Sequence, residues 1–164
     1  MFSGCESLIE LDLSSFDTKC VTSMGFMFEG CEKLKKLDLS GFNTCMLAHI
    51  VSMFKGCKSL IDIDLSGWDT SFITSMQNTF QYCESLTRLD LSSFTSQKLM
   101  SVYQMCSDCT SLKFLDISSL NLDNSIETYK FINNCENLET VIISKNLTNN
   151  SLLNSFEGLT VKYK

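Results

Sequence analysis

One interval governs this chain. Cysteine recurs every 26 residues, at Cys5, Cys31, Cys57, Cys83, Cys109 and Cys135, and other residue types keep the same beat. Leu8, Leu34, Leu60, Leu86, Leu112 and Leu138 stand three residues after the cysteines, and Ser14, Ser40, Ser66, Ser92, Ser118 and Ser144 nine after. No insertion or deletion disturbs the register over five full periods. A fixed period of this length predicts a solenoid, in which each unit buries its apolar face only against its neighbours. The chain is therefore read first as a scaffold that presents surface.

The unit is clearest over residues 5–30. Leu11 and Leu13 flank Asp12 with the period of two that marks a short strand with one buried face. The triplet recurs as Leu37-Asp38-Leu39, Ile63-Asp64-Leu65, Leu89-Asp90-Leu91 and Leu115-Asp116-Ile117; its sixth copy, Val141-Ile142-Ile143, loses the aspartate. Between strands the spacing changes. Val21, Met24, Met27 and Phe28 predict one face of a short helix, capped by Thr22 or Ser23 and stopped by Gly30. Stacking such units gives a parallel ladder with rungs about 4.8 Å apart. Phe16, Phe42, Trp68 and Phe94 then form one buried aromatic column, and Phe2, Phe28, Phe54 and Phe80 another.

At 164 residues the chain can bury a sizeable core, and with no proline and seven glycines it shows no linker. Net charge is −6 with both signs interspersed and no basic patch, which argues against nucleic acid as a partner. No apolar run approaches membrane-spanning length, and no signal peptide stands at Met1. The expected organisation is a single domain: residues 1–144 as the stacked array, about six units with the first truncated, and residues 145–164 as its C-terminal cap. The alternation of Leu159 to Tyr163 predicts a last strand parallel to residues 141–143, its edge blunted by Lys162 and Lys164. Met1 to Cys5 reads as the tail of a unit, so the N-terminal end is expected to be uncapped and open to self-association.

The periodic cysteines read as buried free thiols acting as small hydrophobes. Equivalent Cβ atoms on successive rungs lie about 4.8 Å apart, longer than the roughly 3.8 Å a disulfide favours. Cys20 and Cys45, off the column, are the better disulfide candidates. Cys106-Ser107-Asp108-Cys109 has the C-x-x-C spacing of zinc or redox sites but no matching second pair. His49 lies in the second helical segment with no nucleophile and acid arranged around it, and reads as structural. No Gly-rich phosphate loop or paired-carboxylate site stands out, so neither an enzyme nor a cofactor is expected.

One surface feature remains. If the flanking leucines point inward, Asp12, Asp38, Asp64, Asp90 and Asp116 point outward in a row. Carboxylates at rung spacing repel by about 0.9 kcal/mol even in bulk water. Lys36 and Arg88, or the serine column, are expected to offset this. Two readings stay open: a row that binds a cation or a basic partner, and aspartates that bond to loop backbone and set the turn after the strand. The positions beside the row vary from unit to unit as Glu10, Lys36, Asp62, Arg88 and Phe114, so the scaffold is fixed while the display differs. The candidate binding face is thus Asp12, Lys36, Asp38, Asp62, Asp64, Arg88, Asp90, Phe114 and Asp116.

The run Met53-Phe54-Lys55-Gly56-Cys57-Lys58-Ser59-Leu60, followed by Ile63-Asp64-Leu65-Ser66-Gly67-Trp68-Asp69-Thr70, resembles the BspA-like leucine-rich repeats of surface proteins. The resemblance covers nearly the whole chain. It implies an α/β repeat fold: a leucine-rich-repeat solenoid of strand–loop–short-helix units with a parallel β-sheet on one face. It also implies a cell-surface or secreted protein that acts in adhesion, binding a protein or glycan partner. It carries no catalytic residue to this sequence. Phe16 and Phe42 occupy the place of the usual asparagine, so aromatic stacking is expected to replace an asparagine ladder.

Overall fold

A computed structural model describes residues 1–164. Four short strands form one parallel sheet in chain order: β1 (Arg88–Asp90), β2 (Phe114–Asp116), β3 (Thr140–Ile143) and β4 (Thr160–Tyr163). The only helix, α1 (Asn150–Asn154), lies between β3 and β4. Leu89 pairs with Leu115, Leu115 with Val141 and Val141 with Val161, so residues one period apart are neighbours across the first two steps. The alternation does what a half-buried strand requires, sealing Leu89, Leu115, Val141 and Ile143 into a single apolar core.

The earlier triplets keep that alternation, with Leu13, Leu37, Leu39, Ile63 and Leu65 buried, but they are not hydrogen-bonded as strands. The regular sheet therefore covers only the C-terminal half of the face on which every unit was expected to supply a strand.

The expected helices are absent. From Met24 onward the backbone bonds outward instead of back along itself: the N–H groups of Met24, Phe26, Phe28 and Gly30 donate to the carbonyls of His49, Val51, Met53 and Lys55 at 2.9, 2.9, 2.9 and 2.7 Å. The same stride continues to Asn133. Isolated parallel bridges run Ser23–His49–Ser75–Ser101–Glu127. The cause is local. Phe26 and Gly30 sit at φ 58° and 71°, and left-handed residues four apart turn alternate peptide planes outward, so the i→i−4 helical bond cannot form. Ser52, Asn78, Gln104 and Lys130 repeat the first of these positions, and Gly56, Tyr82, Asp108 and Asn134 the second. Gly30 meets the requirement at no steric cost. Tyr82, at φ 60°, adopts a conformation that costs a non-glycine residue about 1–2 kcal/mol. Val21, Met24, Met27 and Phe28 still reach the core, because tight turns deliver them there as a helix would.

Phe2, Phe28, Phe54 and Phe80 stack with ring centroids 5.7, 5.8 and 5.5 Å apart. Cys106 ends that file in the fifth unit. Phe42, Trp68 and Phe94 are buried as expected, but threonine rather than ring stacking ties their units together. Thr18 Oγ1 accepts from Asn43 N–H at 2.8 Å, Thr44 Oγ1 from Asp69 N–H at 2.7 Å and Thr70 Oγ1 from Thr95 N–H at 2.9 Å. These threonines are nearly inaccessible and do the work first assigned to aromatic contact.

At the C-terminal end β4 adds parallel to β3, with Thr140 opposite Thr160, as the sequence alternation predicts. Helix α1 seats Leu152 in the core, and Phe156 follows it there. Asn149 caps the helix by accepting from Leu152 N–H at 3.0 Å, while its Nδ2 donates to Asp123 O at 3.0 Å. Asn149 also begins an Asn-x-Ser sequence, and its side chain is buried in this cap.

Candidate functional site

The sheet face divides into two halves of different character. Each aspartate of the row uses one oxygen locally: Oδ1 of Asp12, Asp38, Asp64, Asp90 and Asp116 accepts the backbone N–H two residues on, at 2.9, 2.9, 2.9, 3.0 and 3.0 Å. This is the turn-setting geometry available to short polar side chains. It stabilises the charged form. The Ser14 backbone N–H and hydroxyl hold Asp12 below its ordinary pKa; the Ser40 hydroxyl and backbone do the same for Asp38. Asp64 is held low by Ser66, although its neighbour Asp38 pushes the other way. At Asp90 partial burial pushes up, and Ser92 and Arg88 together outweigh it.

The C-terminal half of the row is neutralised. Arg88 Nη2 lies 2.7 Å from Asp90 Oδ2, and its guanidinium covers the Phe114 ring at 3.8 Å. Asp116 departs from expectation: it is buried, not displayed, because Lys164 folds over it with Nζ 2.6 Å from Oδ2. Lys164 therefore answers a carboxylate instead of blunting an edge. Asp12, Asp38 and Asp64 have no such partner, and Lys36, expected to offset the row, makes no ion pair. Glu10, Lys36 and Asp62 are exposed beside them.

Where the triplets are unpaired, shallow grooves open between them. One of about 300 Å³ runs between Asp12 and Asp38, one of about 200 Å³ between Asp38 and Asp64, and one of about 330 Å³ between Asp64 and Asp90. The N-terminal half of the face is thus acidic and corrugated, and the C-terminal half is flat, paired and carries an Arg–Phe stack. Neither half brings together a nucleophile, a base and an orienting group.

The other candidates resolve similarly. The Sγ atoms of Cys31, Cys57, Cys83 and Cys109 donate to the carbonyls of Phe2, Phe28, Phe54 and Phe80 at 3.2, 3.2, 3.2 and 3.1 Å. Burial pushes the Cys57 thiol up to about 12 and Cys83 and Cys106 well above the ordinary value. All nine cysteines are free, Cys20 and Cys45 among them, and Cys5 is exposed. Cys106 and Cys109 are both buried, and no third ligand joins them in a metal-holding group. His49 lies on an exposed bridge, not a helix, with Nδ1 3.4 Å from Thr74 Oγ1. No helix is long and apolar enough to cross a membrane.

The threonine ladder and the Asp116–Lys164 pair escaped the sequence reading. Thr18, Thr44 and Thr70 do keep the period, which was a usable signal; nothing local announces a pairing between positions 48 residues apart.

Over residues 1–63 and again over 48–145 the chain matches the family described as "Mycoplasma protein of unknown function, DUF285". No curated protein matches it.

Proposed function

We propose that this chain, which belongs to the DUF285 family, is a non-catalytic interaction scaffold: a leucine-rich-repeat solenoid of the BspA-like kind that presents its sheet face to a protein or glycan partner. Solenoids offer long open surfaces on a rigid frame, which suits this role. One observation carries the reading. The repeated leucines from Leu34 to Leu138 are buried and the repeated aspartates from Asp12 to Asp90 are exposed, while Glu10, Lys36, Asp62 and Arg88, which stand at one equivalent place in successive units, are all exposed and alternate in charge. The role is that of a cell-surface or secreted adhesion-type module.

The test is direct. The labelled chain is applied to a glycan array and to surfaces coated with extracellular-matrix proteins, beside a Lys36→Glu/Arg88→Glu variant whose melting is checked first. A ligand bound by the native chain and weakened about tenfold in the variant, equivalent to about 1.4 kcal/mol, supports the sheet face as the recognition surface. Binding that is indifferent to both substitutions removes it.

A further inference from the structure

Two exposed thiols stand on neighbouring turns of the array. Cys20 sits in the turn that Val21 N–H closes on Thr18 O at 3.0 Å, and Cys45 in the turn that Leu47 N–H closes on Thr44 O at 2.9 Å. The two turns are fastened together two residues before each cysteine. Thr18 Oγ1 accepts from Asn43 N–H at 2.8 Å and donates to Asn43 O at 3.1 Å. Asp17 and Asn43 then use Oδ1 to accept the N–H groups of Lys19 and Cys45 at 3.2 and 3.1 Å, so one side-chain device sets both turns. Exposure here belongs to the fold. Lys19, Cys45, Ser71 and Gln97 hold one position of the turn, Cys20, Met46, Phe72 and Lys98 the next, and all of them are exposed.

Register separates this pair from the cysteine column. Cys31, Cys57, Cys83 and Cys109 are counterparts one period apart, so their Cα–Cβ bonds run parallel, and their sulfurs are buried and bonded to carbonyls. Cys45 stands one residue before Met46, the counterpart of Cys20. The two cysteines thus occupy different corners of their turns, and nothing holds their side chains parallel. A step of one rung, about 4.8 Å, combined with one residue, about 3.8 Å, leaves their Cα atoms about 6 Å apart. Disulfides span Cα separations of about 4.4–6.8 Å.

We infer that Cys20 and Cys45 are a redox-sensitive pair whose oxidation staples two successive units of the array through a disulfide. With hydrogen peroxide as oxidant, one thiolate attacks the O–O bond, which gives a sulfenic acid and one water. The other thiol then attacks the sulfenic sulfur; the S–S bond forms and the hydroxyl leaves as a second water. A dithiol reductant reverses the linkage, returning both thiols and taking up the disulfide itself. The closed loop, residues 20–45, carries Lys36 and Asp38 of the sheet face, but the linkage does not depend on what that face binds.

The test uses the 164-residue chain, fully reduced, freed of reductant, exposed to a small excess of hydrogen peroxide, alkylated and digested without reduction. The expected product is a monomer in which the peptides holding Cys20 and Cys45 are joined, lighter by two hydrogens and separated again by dithiothreitol. Closing a loop of this length should raise the melting temperature of the oxidised chain by about 5–10 °C. Cys45→Ser, at an exposed position, should melt like the reduced native chain and show no rise with peroxide; its Cys20 should instead be trapped by dimedone as a sulfenic acid. Separate sulfenic or sulfinic acids at Cys20 and Cys45 of the native chain, a link to Cys5, covalent dimers in place of the internal bond, or a melting temperature indifferent to the bond would each overturn the assignment.

Discussion

Lys164 Nζ rests 2.6 Å from Oδ2 of Asp116, a carboxylate whose side chain is only 2 % exposed although the lysine itself remains 55 % exposed. The last residue of the chain thus answers a charge that β2 carries into the interior. Asp116 also takes the Ser118 hydroxyl and backbone N–H on its other oxygen at 2.6 and 3.0 Å, so each of its oxygens is engaged. Removing a partner from a buried carboxylate costs more than the pair contributes, because a desolvated charge stays behind.

Lys164→Met should therefore lower stability by about 1–3 kcal/mol, read as a shift in the urea midpoint with unchanged slope. Asp116→Asn in the same background should recover part of the loss, since the charge is then gone. Full additivity of the two substitutions would show that the contact contributes nothing.

Trp68 carries the one buried side-chain nitrogen without a hydrogen-bond partner, its Nε1. Phe42 and Phe94 hold the equivalent position in the neighbouring units, so the site accommodates a smaller ring. An unsatisfied buried donor costs about 1–3 kcal/mol, comparable to the area and cavity terms that the smaller ring forfeits. Trp68→Phe should leave the thermal midpoint unchanged or raise it; a fall equivalent to more than about 2 kcal/mol would mean that the indole is satisfied in solution.

Thr44 Oγ1 accepts the Asp69 N–H at 2.7 Å in an almost fully closed site. Thr44→Val keeps the shape and deletes the acceptor, and should cost about 1–3 kcal/mol; Thr44→Ser, which restores the oxygen, should recover most of that. Equal losses in the two variants would assign the position to packing.

Serine hydroxyls and backbone N–H groups hold Asp12, Asp38 and Asp64 below the ordinary value of 3.8. A carboxylate whose folded pKa is depressed stabilises the fold above its unfolded pKa, and that contribution vanishes as pH falls through the lower folded value. The melting temperature should decline as pH drops below 3.8. In the triple Asp→Asn variant, which keeps an acceptor oxygen at each turn, this part of the decline should disappear. An unaltered acid profile in that variant would place the pH dependence elsewhere.

Thiol reactivity should sort by access. Cys5, Cys20 and Cys45 are exposed, Cys135 is half-buried, and Cys31, Cys57, Cys83, Cys106 and Cys109 are buried. A thiolate-directed reagent near neutral pH should modify three sulfurs quickly, a fourth slowly, and the remaining five only in denaturant. Rapid modification of Cys57 in the native chain would contradict the packing of the column.

Much of the interior was legible because register is a long-range property written repeatedly. Leu34, Leu60, Leu86 and Leu112, three residues after successive cysteines, are all completely buried. The predicted helix failed for an instructive reason. Val21, Met24, Met27 and Phe28 have helical spacing, but so does a chain that doubles back in tight turns, and the left-handed residue that decides between them is phenylalanine, serine, asparagine, glutamine or lysine in different units. No composition rule flags that set. Asp116 was misplaced because its burial depends on a lysine 48 positions later, beyond any local pattern. The Asp12 and Asp38 turns had a local signal, a serine two residues on, and the sequence left that reading open for this reason.

The outward stride of the backbone has an electrical consequence. In a β-sheet strand, successive peptide units point in opposite directions and their dipoles nearly cancel. Here the units ending at Met24, Phe26, Phe28 and Gly30 all aim their N–H groups toward the following turn of the chain, and their counterparts do the same as far as Asn133. Their moments add along the stack, as they do along an α-helix axis. One flank of the molecule is thereby a polarised rod, negative at the end near Ser23 and positive at the end near Lys130.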